Sequence, residues 1–283
     1  MKEKVFVVSG ANAGIGYETA RGIALTGAKV VMLVRNAAKG EQAREVLIRE
    51  TGNENIELML ADLSDASSIE AFSEQFKQKY ERLDVLVNNA GGIFKERTLL
   101  PNGMESTFGL NHIGYFLLTH HLMPIIRQTP SARIISVASE AHRIGKMDFD
   151  DLHFEKRKYV PMLAYGQSKL ANILFTRYLA KQLNGSPIVT NCLHPGTVRT
   201  NFGGSIPLFK WAFKWLGFFF KTPEQGARTS LYLATNPDTN KYNGLYFDNS
   251  KPKKPSKAAR NDADAQKLWE CSLEMTGIEV FGK

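Results

Sequence analysis

Tyr165 and Lys169 are the pair of residues whose types and spacing best fit acid–base chemistry. Residues four apart lie one turn apart on the same face of a helix, which would place the phenol beside the ammonium group. A free tyrosine has a pKa of about 10, too high for easy proton exchange at pH 7, and a nearby positive charge lowers it. The pair therefore predicts a site that exchanges a proton with an alcohol or a carbonyl. The same spacing also fits an ordinary tyrosine and lysine on a helix surface, so other parts of the chain must decide.

The elements that would position this pair follow from an alternation of short apolar segments with longer amphipathic ones. The apolar segments are rich in Val, Ile and Leu, as strands buried on both faces are, and span residues 5–9, 29–34, 56–60, 85–88, 133–137, 189–193 and 244–247. Apolar residues between them recur at helical spacing, as at Ile69, Phe72, Phe76 and Tyr80. This order predicts an α/β protein with a single-domain Rossmann fold, a doubly wound parallel sheet of about seven strands with helices on both faces. With no linker or internal repeat, we expect one domain over residues 1–283.

Composition and charge limit the classes of protein to which this chain can belong. The chain is 43% hydrophobic and 23% charged, which is ordinary for a globular protein, and its two cysteines, Cys192 and Cys271, exclude a disulfide framework and lack metal-like spacing. A net charge of +8 suits an anionic cofactor, a nucleic acid or a membrane surface. The densest basic run, residues 251–257, is interpreted as a solvated loop. We expect a cytoplasmic protein that binds neither metal nor nucleic acid.

The loop after the first predicted strand has the composition of a phosphate-binding loop. Gly10, Gly14 and Gly16 have the spacing G-x3-G-x-G and precede a helix predicted to begin near Tyr17. Glycines here let the backbone turn sharply and approach a pyrophosphate, which then lies on the helix N-terminus. A merely tight turn is the alternative. The predicted cofactor contacts in this loop are Ser9, Gly10, Asn12, Ala13, Gly14, Ile15 and Gly16.

The end of the second predicted strand distinguishes between the two nicotinamide cofactors. An NAD site usually has an acidic residue here to hold the ribose 2′-hydroxyl, but this chain has Val34 followed by Arg35. A guanidinium binds a 2′-phosphate, so NADP(H) is favoured over NAD(H), although a solvated arginine fits the same position. Further cofactor contacts are predicted at Asn36, at Lys39 as a second phosphate ligand, at Asp62 and Leu63 near the adenine, and along the crevice at Asn89, Ala90 and Gly91.

Taken in order, these motifs resemble the short-chain dehydrogenase/reductase family over nearly the whole chain. The resemblance rests on the glycine loop, Asn88-Asn-Ala-Gly91, Asn111, Ser139, Tyr165, Lys169 and Pro195-Gly196. Within the family, the sequence is most similar to the retinol-dehydrogenase-like branch and its orphan dehydrogenase/reductase members. Two positions depart from the family pattern. Ser9 replaces the usual threonine and keeps its hydroxyl, and Ser136 stands where an asparagine is common, which predicts looser local hydrogen bonding.

The resemblance implies a catalytic tetrad. Tyr165 would exchange the proton with the substrate oxygen, and Lys169 would bind the nicotinamide ribose and lower the pKa of Tyr165. Ser139 would hydrogen-bond the substrate oxygen, and Asn111 would hold a helix kink and a water in a proton relay to Lys169. The resemblance also implies cofactor contacts from Tyr165, Lys169, Pro195, Gly196, Thr197, Val198 and Thr200.

Two regions are expected to select the substrate: the connection 140–164 and the aromatic segment 202–221. In the second region Lys210, Lys214 and Lys221 form a narrow basic stripe on an otherwise apolar helix. This pattern fits a lid over a lipophilic substrate, a peripheral membrane contact through residues 206–220, a core helix or a homodimer surface. The resemblance to the family favours the lid, over about residues 202–221. We expect an NADP(H)-dependent oxidoreductase acting on a lipophilic alcohol, aldehyde or ketone of the retinoid, steroid or fatty-aldehyde type. The alternative is a nucleotide-binding scaffold without turnover.

Overall fold

The computed structural model of the protein describes residues 1–197 and 221–283, and these are built around one sheet of eight strands. The strands lie in the order β3-β2-β1-β4-β5-β6-β7-β8. Pairs from β3 through β7 are parallel, whereas β8 is antiparallel to β7. Their bounds are β1 Val5–Ser9, β2 Lys29–Val34, β3 Ile56–Leu60, β4 Val85–Asn88, β5 Arg133–Val137, β6 Val189–His194, β7 Tyr246–Asp248 and β8 Lys251–Pro252.

The predicted doubly wound parallel sheet is confirmed, with one strand more than expected. All seven predicted strands form, and the ends of β6 and β7 differ from the prediction by one or two residues. The additional strand, β8, has two residues and pairs Lys251 with Asp248 and Pro252 with Phe247. The interpretation of residues 251–257 as a loop is wrong for the first two of them, because an exposed Lys-Pro pair offers neither the apolar alternation nor the length that predicts a strand. A proline fits this place because an edge strand leaves one side of its backbone unpaired.

Helices cover both faces of the sheet. Alternate residues of β1 point to opposite faces: Val5 and Val7 join one apolar core, and Phe6 and Val8 join the other. Helices α3, α5, α6 and α8 pack on the first face, and α1, α2 and α7 pack on the second. The helix bounds are α1 Gly14–Ala24, α2 Ala37–Thr51, α3 Ala66–Lys79, α4 Ser106–Phe108, α5 Gly114–Gln128, α6 Pro161–Gln182, α7 Pro223–Thr235 and α8 Asp262–Thr276. No helix among the described residues is long and apolar enough to cross a bilayer.

The strand order places the functional edge of the sheet. The chain moves outward from β1 through β2 to β3, then returns to the other side of β1 to form β4. Ligands of such sheets bind at the carboxyl ends of the strands, where the direction of winding reverses. Ser9 ends β1 and Asn88 ends β4, so both lie at this reversal.

Candidate active site

The loop between β1 and α1 needs glycine at the three predicted positions. Gly10 and Gly14 have φ values of 68° and 59°, in the left-handed region that favours glycine. Gly16 is buried, and a Cβ there would lie 2.5 Å from Nδ2 of Asn89, besides overlapping the carbonyl of Gly10. Helix α1 begins at Gly14, three residues before the predicted start, because the glycine-rich turn itself opens the helix.

The N-terminus of α1 fits a dinucleotide pyrophosphate. Its N-cap is Ala13, which provides no side-chain hydrogen bond, and the first turn has no acidic residue. The first N–H groups of a helix have no intrahelical acceptor, and they and the helix dipole favour an anion. Asn12, Ala13 and Ile15 are at least partly exposed. The predicted loop residues therefore form a cradle of the right kind for phosphate.

The hydroxyl of Ser9 joins the ends of β1 and β4. It accepts hydrogen bonds from the backbone N–H groups of Asn89 (2.9 Å) and Ala90 (3.0 Å) and donates to the carbonyl of Val87 (3.3 Å). The amide of Asn89 donates to the carbonyl of Ser9 at 2.8 Å. Serine therefore makes these contacts where the family usually has threonine, and it fixes the segment 89–91 beside the glycine loop.

At the other departure, Ser136, buried polar atoms lack hydrogen-bond partners in the described part of the chain. Ser136 lies opposite Asn88 in the register of β4 and β5. The hydroxyl of Ser136 and Oδ1 of Asn88 are both buried and have no hydrogen-bond partner among the described residues. This agrees with the looser hydrogen bonding expected at this position.

The cationic residues after β2 are available to an anion. Arg35 and Lys39 are exposed, and within residues 1–197 and 221–283 neither side chain makes a hydrogen bond or an ion pair. Asn36 caps α2 by accepting a hydrogen bond from the N–H of Lys39 at 2.9 Å. This cap fixes the backbone that carries Arg35 at the carboxyl edge of the sheet.

Asp62 and Leu63 follow β3 at the same edge of the sheet. The carboxylate of Asp62 accepts hydrogen bonds from the backbone N–H (2.9 Å) and hydroxyl (2.6 Å) of Ser64. Leu63 is buried against Gly114, where a Cβ would lie 3.0 Å from that of Leu63. The Asp62 side chain is therefore held by its own turn, and Leu63 packs against the start of α5.

Tyr165 and Lys169 lie on α6, so the predicted helix is confirmed. Nζ of Lys169 lies over the ring of Tyr165, 5.6 Å from its centroid, and donates a hydrogen bond to the carbonyl of Val137 at 2.9 Å. Burial lowers the pKa of Lys169 to about 7. Burial raises the pKa of the Tyr165 phenol, and its hydrogen bond with Ser139 opposes that rise.

The direction of the Tyr165 pKa is opposite to the expected one. The expectation assumed that the ammonium of Lys169 would dominate. In the protein alone, loss of solvent around the phenol outweighs the hydrogen bond from Ser139 and favours the neutral form. Burial also lowers the pKa of Lys169 to about 7, which weakens that positive charge near neutral pH.

Two glycines bring Ser139 and Tyr165 together. A Cβ at Gly145 would lie 2.5 Å from the carbonyl carbon of Gly166, and one at Gly166 would lie 2.7 Å from the carbonyl oxygen of Ala141. Only glycine permits so close an approach between α6 and the turn after β5. Sequence reasoning missed this contact, although Gly166 follows the candidate catalytic tyrosine directly.

Asn111 lies in a π-helical turn, Gly109–Ile113, between α4 and α5. Its amide donates to the carbonyl of Gly92 (2.9 Å) and to the hydroxyl of Ser168 (2.9 Å), and its oxygen accepts from the N–H of Gly92 (2.8 Å). Such turns interrupt regular helices and often mark functional sites. The side chain thus links the segment after β4 to α6, one residue before Lys169.

The backbone of Ser139 is hydrogen-bonded by residues that were not predicted to belong to the site. Its carbonyl accepts a hydrogen bond from Nδ1 of His142 at 2.6 Å, and Nε2 of His142 accepts one from the N–H of Ser256 at 3.1 Å.

The carboxylate of Glu140, which follows Ser139, accepts a hydrogen bond from the hydroxyl of Tyr246 at 2.8 Å. Although burial opposes ionisation, this bond and those from Arg143 and Lys253 lower the pKa of Glu140 to about 2. These contacts tie the turn after β5 to the C-terminal part of the chain, which sequence spacing does not reveal.

The segment after β6 begins with Pro195 and Gly196. Gly196 has a φ of 93°, and a Cβ there would lie 2.5 Å from Cδ of Lys221. The carbonyl of Thr197 accepts a hydrogen bond from the N–H of Lys221 at 2.8 Å. The predicted contacts Val198 and Thr200 and residues 202–220 of the expected lid lie outside the described residues.

Comparison with known proteins defines the family. The model of the family described as short chain dehydrogenase matches residues 4–209. Mouse retinol dehydrogenase 12 is 41% identical over 276 residues, covering 98% of this chain and 87% of the relative. Human retinol dehydrogenase 12 is 42% identical over 275 residues, covering 97% and 87%. The chain belongs to the short-chain dehydrogenase family of oxidoreductases.

Solved structures agree with the fold. A protein from Mycobacterium paratuberculosis has a TM-score of 0.79 and 33% identity, covering 97% of this chain and 93% of that one. Pseudomonas aeruginosa RhlG, solved as an active-site complex with NADP, has a TM-score of 0.70 and 26% identity, covering 86% and 93%.

Proposed function

We propose that the protein is an NADP(H)-dependent oxidoreductase that interconverts a lipophilic alcohol with its aldehyde or ketone, with Tyr165 as the proton donor and acceptor. The observation that carries this proposal is the hydrogen bond between Tyr165 and Ser139 beside Lys169. These residues lie on α6 and at the carboxyl end of β5, the edge where such sheets bind ligands. The proposal takes residues 1–283 as a single domain.

The choice of NADP(H) rests on the glycine loop and Arg35. The uncapped N-terminus of α1 suits the pyrophosphate, and the exposed guanidinium of Arg35, without a carboxylate partner in the described part of the chain, suits a 2′-phosphate. That RhlG binds NADP adds support. When bound, the cofactor supplies or accepts the hydride.

The side chains of the protein handle the oxygen and its proton. Ser139 and Tyr165 would both hydrogen-bond the substrate oxygen. In reduction, the phenol of Tyr165, which burial keeps protonated at neutral pH, would donate its proton to that oxygen. In oxidation the deprotonated phenolate of Tyr165 would accept the proton of the alcohol, and the positive charge of Lys169 would favour that phenolate form. Asn111 would fix the position of Lys169 through its hydrogen bond to the adjacent Ser168.

An apolar substrate is supported by the surface around this edge. Ile144, Val160 and Leu163 are 52%, 38% and 42% exposed, respectively, and all three lie close in sequence to Ser139 or Tyr165. The mouse and human relatives are retinol dehydrogenases, named for an apolar alcohol. A lipophilic substrate of the retinoid, steroid or fatty-aldehyde type would cover these side chains and gain their burial.

The test is NADPH oxidation with a panel of apolar aldehydes and ketones. Tyr165→Phe should lower kcat by about 100- to 10,000-fold, the contribution expected of a positioned proton donor. Tyr178→Phe is the matched control, since Tyr178 lies on the same helix but packs on Trp269, and it should be close to wild type. NADPH binding without wild-type turnover across the panel would favour the scaffold alternative. Equal rates for wild type and Tyr165→Phe would remove Tyr165 from the chemistry.

A further inference from the structure

The ammonium of Lys169 lies between two aromatic rings. Its Nζ is 5.6 Å from the centroid of Tyr165, on its own helix, and 5.5 Å from the centroid of Tyr115, on α5. Tyr115 is completely buried, at 0% exposure, and Lys169 is 2% exposed. The contact with Tyr115 therefore joins two different helices in the interior of the protein.

A buried ammonium needs more favourable contacts than its hydrogen bond provides. The group has three N–H donors, and one of them donates to the carbonyl of Val137. No carboxylate forms an ion pair with Lys169 within residues 1–197 and 221–283. The face of an aromatic ring within about 6 Å attracts a cation, and more strongly where water is excluded.

We propose that Tyr115 is a positioning residue for Lys169: the face of its ring stabilises the charged amine and holds it against Tyr165. The consequence for catalysis rests on the proposed function of Lys169, whereas the stabilisation of its charge does not. The contact comes from the ring, because the buried hydroxyl of Tyr115 has no hydrogen-bond partner among the described residues.

The two phenols that face Lys169 should not interfere with its titration near neutral pH. Tyr115 faces it from α5 and Tyr165 from α6, and burial raises the pKa of both phenols, so both stay neutral near pH 7. Strand β5 presents the carbonyl of Val137, and the segment after β4 presents Gly91, where a Cβ would lie 3.6 Å from Nζ. The side chain of Asn111, which links these elements, is uncharged. The amine is therefore the group expected to change charge at this place between pH 6 and 9.

The first test measures the charge of Lys169 directly, in the full chain without cofactor. Lysine labelled with 13C at Cε is followed by NMR against pH, and the Lys169 signal is assigned by its loss in Lys169→Met. Removing the ring in Tyr115→Leu should lower the pKa of Lys169 by roughly 0.4–1.5 pH units. Tyr115→Phe keeps a ring and should titrate as wild type does.

Two further variants keep this measurement decisive. Phe116→Leu removes a completely buried ring from the same helix that packs on Phe175 and Trp269, and it should leave the Lys169 titration unchanged. Tyr115→Met is a second ring-free variant that fills the space differently if Tyr115→Leu folds poorly. A Lys169 pKa in the ring-free variants equal to or above that of wild type overturns the proposal, as does an equal shift in Phe116→Leu.

The second test is the pH profile of kcat for reduction at saturating NADPH. Tyr115→Leu should lose activity on the alkaline side at a lower pH than wild type, by the same shift as in the titration, and Tyr115→Phe should not. A displaced lysine titration with an unmoved pH profile would overturn the positioning role. A wild-type protein without turnover would instead contradict the proposed function and leave the NMR result standing.

Discussion

Gly145 and Gly166 meet backbone to backbone, so that the second turn of α6 lies directly on the turn after β5. A Cβ on Gly145 would come within 2.9 Å of the backbone nitrogen of Gln167, and one on Gly166 would lie 3.1 Å from the backbone nitrogen of Gly145. Ser139 precedes this turn, and Tyr165 precedes Gly166 on the helix. The contact between the two glycines therefore sets the spacing between the two side chains proposed to hold the substrate oxygen.

Gly166→Ala should separate those side chains. Alanine favours a helix, but its Cβ would lie 2.7 Å from the carbonyl oxygen of Ala141, a backbone atom that cannot move alone. We expect kcat to fall by at least about tenfold and stability to fall by about 1–3 kcal/mol, the usual cost of overpacking. Affinity for NADPH, measured by fluorescence titration, should change less.

Gly22→Ala is the control for this change. Gly22 also lies in a helix, α1, but its added Cβ would meet the end of the flexible Leu231 side chain. This variant should keep wild-type kcat. A Gly166→Ala variant with wild-type kcat would show that the glycine contact does not set the catalytic spacing.

The contact of Gly145 with Gly166 could not be predicted from the sequence, unlike the strands and the glycine loop. The strands were predictable because each is a short apolar run, and the glycine loop because its three glycines are close in sequence. The approach of Gly145 to Gly166 depends on how β5 and α6 pack, and a glycine in a helix indicates only a weak helix former. In the same way, the sequence shows Tyr115 only as a residue suited to an apolar core, and the fold is needed to place its ring beside Lys169. The raised pKa of Tyr165 could not be predicted from its spacing to Lys169, because it results from the burial of the phenol.

Arg35→Ala should weaken NADPH much more than NADH. The lost charge-assisted hydrogen bond to the 2′-phosphate corresponds to about 1.5–3 kcal/mol, or roughly a 10- to 150-fold rise in Kd. The Kd for NADH, which lacks that phosphate, should change little. Lys39→Ala, in the first turn of α2, should give a smaller loss. Isothermal titration of both cofactors checks this, and equal losses for NADPH and NADH would contradict the assignment of Arg35.

Acid should destabilise the fold well before the carboxylates titrate. Burial lowers the pKa of all six histidines, to about 3 for His112 and to about 4 for His120 and His194. Between pH 7 and 4 the unfolded chain, with histidine pKa values of about 6.5, therefore binds more protons than the folded one, and stability falls as pH falls. Each histidine contributes up to about 1.4 kcal/mol per pH unit in its window. Urea unfolding at pH 7, 6 and 5 measures this, and a constant midpoint would contradict it.

Lys169→Met should be inactive and yet more stable than wild type near pH 6. The pKa of Lys169 is about 7 in the folded protein, against about 10.4 in the unfolded chain, so the charged amine costs stability in full below pH 7. That cost fades as pH rises from about 7 to 10.4, because the folded protein then holds the neutral amine. Methionine removes the cost but loses the hydrogen bond to Val137, which leaves a net gain of about 1–3 kcal/mol at pH 6.

The gain should shrink as the pH rises, which distinguishes a buried charge from improved packing. Urea unfolding of wild type and Lys169→Met at pH 6, 7.5 and 9 measures the difference directly. Lys181→Met is the control, because Lys181 lies exposed near the end of the same helix, and its effect should be small at every pH. A Lys169→Met variant less stable than wild type at pH 6 would mean that the surroundings of Lys169, the Tyr115 ring among them, compensate fully for burying its charge.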